Sequence, residues 1–311
     1  MSSDNWKWTP AGLARQDAKT FLITGANSGI GLEAAKVLAA HGGHIIMACR
    51  DMARAEAAAK EIEKAAGRSG AAHCVQLDLS DMASIRAGAA SIGELGIKID
   101  ALILNAGIMA PPTRRETRDG FEMQIGVNHF GHFLLAGLLA ENMMAQDGRF
   151  VSVSSTMHKA GLKRIRFEDP NWERDYSPAA AYAQSKLANA LFVRGLNNRL
   201  QAKGAPGRGY ICHPGYAATA LQTKETRGVV KSMMKVGNAL TAQSAERGGW
   251  PTVLCAADPR AAAGKYYGPT GMFELRGPVG ECKLAAQARD DEAAAKLWAL
   301  SEELTGHSWT I

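Results

Sequence analysis

Short apolar runs recur along this chain, each followed by a stretch long enough to be a helix, and few folds accommodate that alternation. Phe21-Leu22-Ile23 leads into a glycine-rich turn and then a helix from Ile30 to Ala40. Ile45-Ile46-Met47-Ala48 predicts a second strand, and the Ala/Glu/Lys-rich stretch 52–66 a helix stopped by Gly67. Cys74-Val75-Gln76-Leu77 predicts a third strand, 81–93 a helix, and Ala101-Leu102-Ile103-Leu104 a fourth strand. A long helix fits 121–145, Phe150-Val151-Ser152-Val153 a fifth strand, 179–202 a helix, and Gly209-Tyr210-Ile211-Cys212 a sixth strand. Strands this apolar are buried on both faces, and their alternation with helices predicts a parallel sheet. No repeat, linker or low-complexity tract interrupts the pattern. The expected architecture is one α/β domain over 1–311, a doubly wound parallel sheet with helices on both faces. Residues 1–18 read as an N-terminal extension. Ligands of such a sheet sit in the crevice at the carboxyl ends of its strands.

The turn after the first run carries the first chemical signal. Thr24-Gly25-Ala26-Asn27-Ser28-Gly29-Ile30-Gly31 joins strand to helix with the spacing G-x-x-x-G-x-G. Glycines there allow the backbone to approach a pyrophosphate, whose charge suits a helix N-terminus. A tight strand-to-helix connection would use the same residues, but the place after the first strand favours a nucleotide. An acid ending the second strand would bind a ribose 2′-hydroxyl. Cys49 stands there instead, followed by Arg50, which offers a charge-assisted fork to a 2′-phosphate. The expected cofactor is therefore NADP(H), with Asp51 as a contrary sign.

A second signal is Tyr182-Ala-Gln-Ser-Lys186, a phenol and an ammonium four residues apart. On a helix both lie on one face, and a nearby cation favours the ionised phenol. A tyrosine in that position can exchange protons. By itself the pair fits a surface helix equally well.

Composition removes other classes. The net charge is +6, from 36 basic and 30 acidic residues, and is spread along the chain. The densest basic runs, Arg114-Arg115 and Lys163-Arg164-Ile165-Arg166, lack interleaved aromatics, which argues against a nucleic-acid groove. The five cysteines (49, 74, 212, 255, 282) show no CxxC spacing, so neither a disulfide framework nor a zinc or other metal site is expected. The N-terminal Met-Ser-Ser-Asp-Asn-Trp-Lys-Trp-Thr-Pro has no apolar core of a secretory signal, and no stretch is apolar enough for a membrane span. These features predict a cytoplasmic protein without a membrane anchor.

From Thr20 to Thr219 the chain resembles the short-chain dehydrogenase/reductase family, whose motifs occur in order. Thr24 to Gly31 matches TGxxxGxG, and Asp78, followed by Leu79, matches the acidic residue that meets the adenine. Asn105-Ala106-Gly107 matches the segment that closes the fourth strand under the cofactor. Asn128 matches the catalytic asparagine, Ser155 of the Ser154-Ser155 pair the catalytic serine, and Tyr182 with Lys186 the YxxxK. Pro214-Gly215 with Thr219 matches the segment that holds the nicotinamide. Ala48-Cys49-Arg50-Asp51, Asn128-His129-Phe130-Gly131-His132-Phe133, Asn171-Trp172 and Ser185-Lys186-Leu187-Ala188-Asn189 look most like the branch of retinol dehydrogenases and protochlorophyllide reductases. The membrane anchor of retinol dehydrogenases is missing, and the active-site cysteines of protochlorophyllide reductases are not clearly reproduced. Retinol and chlorophyll precursors are therefore not implied as substrates.

The resemblance implies a Rossmann-like fold and hydride transfer from nicotinamide to a carbonyl. Tyr182 would protonate the oxygen, with Lys186 lowering its pKa and bonding the nicotinamide ribose. Ser155 would donate to the developing oxyanion, and Asn128 would hold a water linking Lys186 to solvent. Gly25, Asn27, Ser28, Gly29, Ile30, Gly31, Arg50, Asp78, Leu79, Asn105, Ala106, Gly107, Tyr182, Lys186, Pro214, Gly215 and Thr219 would contact cofactor. The 26 residues between Ser155 and Tyr182 are an insertion relative to the family, beside the site mouth. Met157, His158 and Tyr216 are candidate substrate contacts. Residues 216–245 occupy the place of the family's substrate lid; Val229, Val230, Met233, Met234 and Val236 would make an apolar cover or a plain helix core. The expected substrate is a hydrophobic aldehyde or ketone, or the corresponding alcohol. Reduction of an activated C=C bond and a catalytically silent nucleotide-sensing role are the alternatives. Family dimers form through the helices over 121–145 and 179–202, a face that an insertion can obstruct, so monomer and homodimer both stay open.

Overall fold

The computed structural model describes residues 7–144, 147–216 and 243–310. Its strands are β1 (Thr20–Thr24), β2 (His44–Cys49), β3 (Ala72–Gln76), β4 (Ala101–Leu104), β5 (Arg149–Val153), β6 (Arg208–Cys212), β7 (Tyr266–Pro269) and β8 (Val279–Cys282). They form one eight-stranded sheet in the order β3-β2-β1-β4-β5-β6-β7-β8. Neighbours are parallel from β3 through β7, and β8 closes the edge antiparallel to β7. The first six strands fall where the apolar runs lie. The last two add to the expected sheet and make it mixed. Their sequences, Tyr-Tyr-Gly-Pro and Val-Gly-Glu-Cys, carry Gly and Pro and no apolar run, so pairing at the edge rather than local preference makes them strands.

The longer helices are α1 (Gly29–Ala40), α2 (Met52–Ala66), α3 (Met82–Glu94), α4 (Gly131–Met144), α5 (Pro178–Lys203), α6 (Ala245–Ala257) and α7 (Asp291–Thr305). Two apolar cores flank the sheet. Leu38 of α1, Ile62 of α2 and Val253 of α6 pack with Phe21 and Ile23 on one face. Ile85 of α3, Phe133 of α4, Leu187 of α5 and Trp298 of α7 pack with Leu22 and Leu102 on the other. The period-two alternation of β1 feeds both cores, as a strand covered on two faces requires. Among the described residues no helix is long and apolar enough to cross a membrane.

The helix expected over 121–145 is broken. Met123–Ile125 is one helical turn, Gly126–Phe130 is π-helical, and α4 follows. Glycines permit the close approaches there. A Cβ on Gly126 would lie 2.5 Å from Thr117 Cγ2, and one on Gly131 would lie 2.6 Å from the Leu79 carbonyl oxygen. The π turn places Asn128 at the crevice between β1 and β4, where the winding of the sheet reverses.

Candidate active site

The glycine turn is built for close approach. Gly25 and Gly29 have φ of +68° and +57°, a region that favours glycine. A Cβ on Gly31 would lie 2.4 Å from Asn105 Nδ2 and 2.7 Å from the Gly25 carbonyl oxygen. Ser28 is the N-cap of α1 but makes no capping bond, whereas Asp51, Asp81, Ser244 and Asp290 cap α2, α3, α6 and α7 with their side chains. The first-turn amides of α1 thus face the crevice without a side-chain acceptor beside Asn27 and Gly29, an arrangement that fits a pyrophosphate.

At the end of β2 the Cys49 side chain is buried. Arg50 is exposed, its Nε 3.9 Å from Asp78 Oδ2. Asp51 accepts the Arg54 amide at 3.1 Å, so this acid is occupied in capping α2. Asp78 Oδ1 accepts from the Ser80 amide and hydroxyl at 2.9 and 2.7 Å, which fixes the carboxylate beside buried Leu79. Asn105 and Ala106 donate their amides to Thr24 Oγ1 at 2.9 and 3.0 Å, which ties the end of β4 to the end of β1. A Cβ on Gly107 would lie 3.1 Å from Asn128 Oδ1 and 3.6 Å from Lys186 Nζ. Glycine there brings the cofactor segment against the Asn128 and Lys186 side chains.

Ser155, Tyr182 and Lys186 come together across the ends of β5 and α5. Tyr182 and Lys186 are 9% and 5% exposed, and Asn128 is fully buried. The Ser155 hydroxyl stands by the Tyr182 phenol and favours its ionised form. Lys186 Nζ donates to the Val153 carbonyl at 3.0 Å and lies 5.7 Å from the Tyr182 ring centroid. Burial pushes Tyr182 up to about 12, and the Ser155 hydroxyl pulls against that rise. Burial also lowers Lys186 to about 8. The expected depression of the phenol by Lys186 is therefore corrected. The ammonium is turned onto a backbone carbonyl, and the apolar surroundings set the phenol. The Asn128 side chain is fully engaged. Its Nδ2 donates to the Ile108 carbonyl and to Ser185 Oγ, both at 2.9 Å, and its Oδ1 accepts the Ile108 amide at 2.8 Å. Both side-chain amide hydrogens are thus held by the protein.

The candidate substrate contacts separate. Met157 is half-buried, in the 3₁₀ turn Thr156–Lys159 after Ser155. His158 is fully buried, with Nδ1 bonded to the Ser155 carbonyl at 2.6 Å and Nε2 accepting the Ala285 amide at 3.2 Å. Both ring nitrogens are engaged, so His158 braces Ser155 and does not line the mouth. Tyr216 is half-buried and exchanges backbone bonds with Leu275 and Gln243. Gly215, with φ +67°, donates its amide to His213 Nδ1 at 3.1 Å, and Gln243 holds the Pro214 carbonyl. Thr219 and the apolar residues proposed as a lid at 229–236 lie outside the described residues.

Sequence reasoning passed over His213, Tyr266 and Glu274. His213 is fully buried, stacked 4.8 Å from Tyr266, with Nε2 3.8 Å from Glu274 Oε2. With Cys282 these two place ligand-type atoms within 4.8 Å of one another. Lys159 Nζ, however, already sits 2.6 Å from Glu274 Oε2, and burial raises the Cys282 thiol to about 12. That cation neutralises the carboxylate, and we assign no metal there. Long-range pairing of β6, β7 and β8 assembles this cluster, and no sequence spacing could announce it.

Comparison with known proteins places this geometry. The short chain dehydrogenase family profile matches residues 19–229. Human retinol dehydrogenase 13 is 43% identical over 297 residues, covering 93% of this chain and 85% of that protein. Mouse polyprenol dehydrogenase is 36% identical over 304 residues, covering 96% of this chain and 87% of that protein. The crystal structure of an uncharacterised protein from Mycobacterium paratuberculosis superposes with a TM-score of 0.80 at 39% identity, covering 98% of this chain and all of that one.

Proposed function

The chain belongs to the short-chain dehydrogenase/reductase family, in its retinol dehydrogenase-like branch, and on that premise we propose that it is an NADP(H)-dependent oxidoreductase of hydrophobic aldehydes or ketones and their alcohols. The carrying observation is the convergence of Ser155, Tyr182 and Lys186 beside the uncapped glycine turn. The nicotinamide, when bound, supplies the hydride. Residues Gly25 to Gly31, Asn105 to Gly107, Pro214 and Gly215 would hold the cofactor. Arg50 supports the 2′-phosphate form, since Asp51 is occupied as a helix cap.

The chain's own part is the proton. A buried, protonated Tyr182 is the acid that carbonyl reduction needs, and its phenol O–H donates to the developing alkoxide. The Ser155 hydroxyl has one proton, which would turn from Tyr182 to the same oxygen when substrate is bound. Lys186 keeps a positive charge beneath both groups while it anchors α5 on β5. The relatives' names specify retinol and polyprenol, both apolar alcohols, which supports a lipophilic substrate.

A spectrophotometric screen over long-chain aldehydes, ketones and enones with NADPH and NADH tests the reading. We expect aldehyde-dependent oxidation of NADPH, with an NADPH preference that falls about 10-fold or more in Arg50→Ala, the loss expected of a charge-assisted contact to phosphate. Equal use of both cofactors by the wild type would refute the NADP(H) assignment. Turnover of enones alone would refute the carbonyl assignment.

A further inference from the structure

Thr24, at the end of β1, is the hub of a buried bond network that crosses to α4. Its Oγ1 accepts the amides of Asn105 and Ala106, which fills both lone pairs and leaves the hydroxyl proton to place. That proton faces the Ile103 carbonyl at 3.4 Å and His132 Nε2 at 2.9 Å. Across the imidazole, Nδ1 lies 3.0 Å from the Asn128 carbonyl oxygen. A carbonyl can only accept, so Nδ1 carries the hydrogen. In a neutral ring Nε2 is then bare, and the Thr24 hydroxyl donates to it. The partners by themselves fix the tautomer and the direction of the chain: Thr24 O–H to Nε2, Nδ1–H to Asn128. His132 is 2% exposed and burial lowers it to about 4, in keeping with a neutral ring.

We propose that His132 is a positioning residue that locks the cofactor-side segment Asn105–Gly107 in register with the π-helical turn carrying Asn128. It rests on the reading of Asn128 and Tyr182 given above. The consequence reaches the backbone of Tyr182 in three bonds. Asn128 Nδ2 donates to Ser185 Oγ, and Ser185 Oγ donates to the Tyr182 carbonyl at 2.8 Å. The clearance beside Asn128 is small, because a Cβ on Gly107 would stand only 3.1 Å from its Oδ1. The π turn keeps its own i→i+5 bond, Gly131 amide to Gly126 carbonyl, and the His132 bond to Thr24 ties that turn to the end of β1. Both histidines of the Asn128-His129-Phe130-Gly131-His132 run are buried, but His132, one turn beyond Asn128, is the one that spans to β1.

Three substitutions separate the two ends of the ring. His132→Asn keeps a donor at the Nδ1 position, His132→Gln keeps an acceptor at the Nε2 position, and His132→Phe keeps neither. We expect His132→Phe to lose about 10-fold or more in kcat with little change in substrate KM, the signature of misplaced groups. His132→Asn and His132→Gln should each recover part of the loss. Wild-type kcat in all three, with only a lower melting temperature, would reduce His132 to a structural residue and overturn the proposal. Should His132→Phe fail to fold, ¹⁵N spectra of the wild-type imidazoles, assigned with His132→Gln, decide the matter. We expect an Nδ1–H tautomer that stays neutral down to pH 5, and an Nε2–H tautomer or a titration near 6.5 would overturn it. If the wild type reduces no carbonyl, the proposed function fails by itself, while the ring spectrum still tests His132.

Discussion

Tyr182 is held as an acid by its surroundings. Burial keeps the phenol protonated, with a pKa pushed up to about 12, and Lys186 at about 8 is charged through the neutral range. The sign follows for each direction of reaction. Reduction needs the protonated phenol, which dominates at pH 7. Oxidation needs the phenolate, whose population rises tenfold per pH unit below about 12. We therefore expect the reductive kcat to stay level from pH 6 to 7 and to fall as Lys186 loses its proton near 8, while the oxidative kcat climbs with the phenolate until that same loss opposes it. Tyr182→Phe should lower both by about 10²-fold or more while cofactor binding, read by fluorescence titration, is kept. Near-normal turnover would remove Tyr182 from the mechanism. Much of this site could be read from spacing: Tyr182 with Lys186, Ser155, and the turn from Gly25 to Gly31 are local patterns. The protonation of the phenol could not, because burial in the folded chain decides it. The partners of Asn128 were equally hidden, since Ile108 and Ser185 reach it only through the fold.

At the scale of elements, α7 packs across α4 and α5. Trp298 lies parallel to Phe192 of α5, edge-on to Phe133 of α4, and 4.8 Å from Trp309. A Cβ on Gly137 of α4 would lie 2.5 Å from the His307 ring, so the C-terminal tail covers that helix as well. With α7 and the tail laid over α4 and α5, we expect a monomer by multi-angle light scattering, and a dimer would show that another face pairs. Trp298 is 2% exposed, so Trp298→Ala should cost about 3–5 kcal/mol in a denaturant titration. A loss below about 1 kcal/mol would show that α7 is not part of the core. The sequence displayed the first six strands because each is an apolar run. It concealed β7 and β8, and it showed 121–145 as one helix, because edge pairing and the contacts at Gly126 and Gly131 are non-local.

The molecule as a whole is set against acid by its buried histidines. His129 joins the π turn to Ser301 of α7, His132 joins α4 to β1, and His213 joins the end of β6 to the Gly215 amide. Burial lowers them to about 3, 4 and 3, well below the ordinary 6.5. The unfolded chain therefore binds protons that the folded chain refuses. Their contribution is complete above pH 6.5 and declines as pH falls toward 4, by roughly 2 kcal/mol for each histidine at pH 5. Three such groups together approach the whole stability of an ordinary domain. Carboxylates act lower: Asp258 is held at about 2 despite the opposing effect of burial, by bonds from Arg260 and Trp8, and protonates only in stronger acid. Thermal melts at half-unit steps should thus show the melting temperature falling steadily from pH 6.5 to 4, before the carboxylates titrate. His132→Gln, which removes one of these groups, should flatten that slope by roughly a quarter to a third, since buried His158 is lowered as well. A melting temperature constant from pH 7 to 5 would mean that these histidines carry no such shift and that the cores are joined by other bonds.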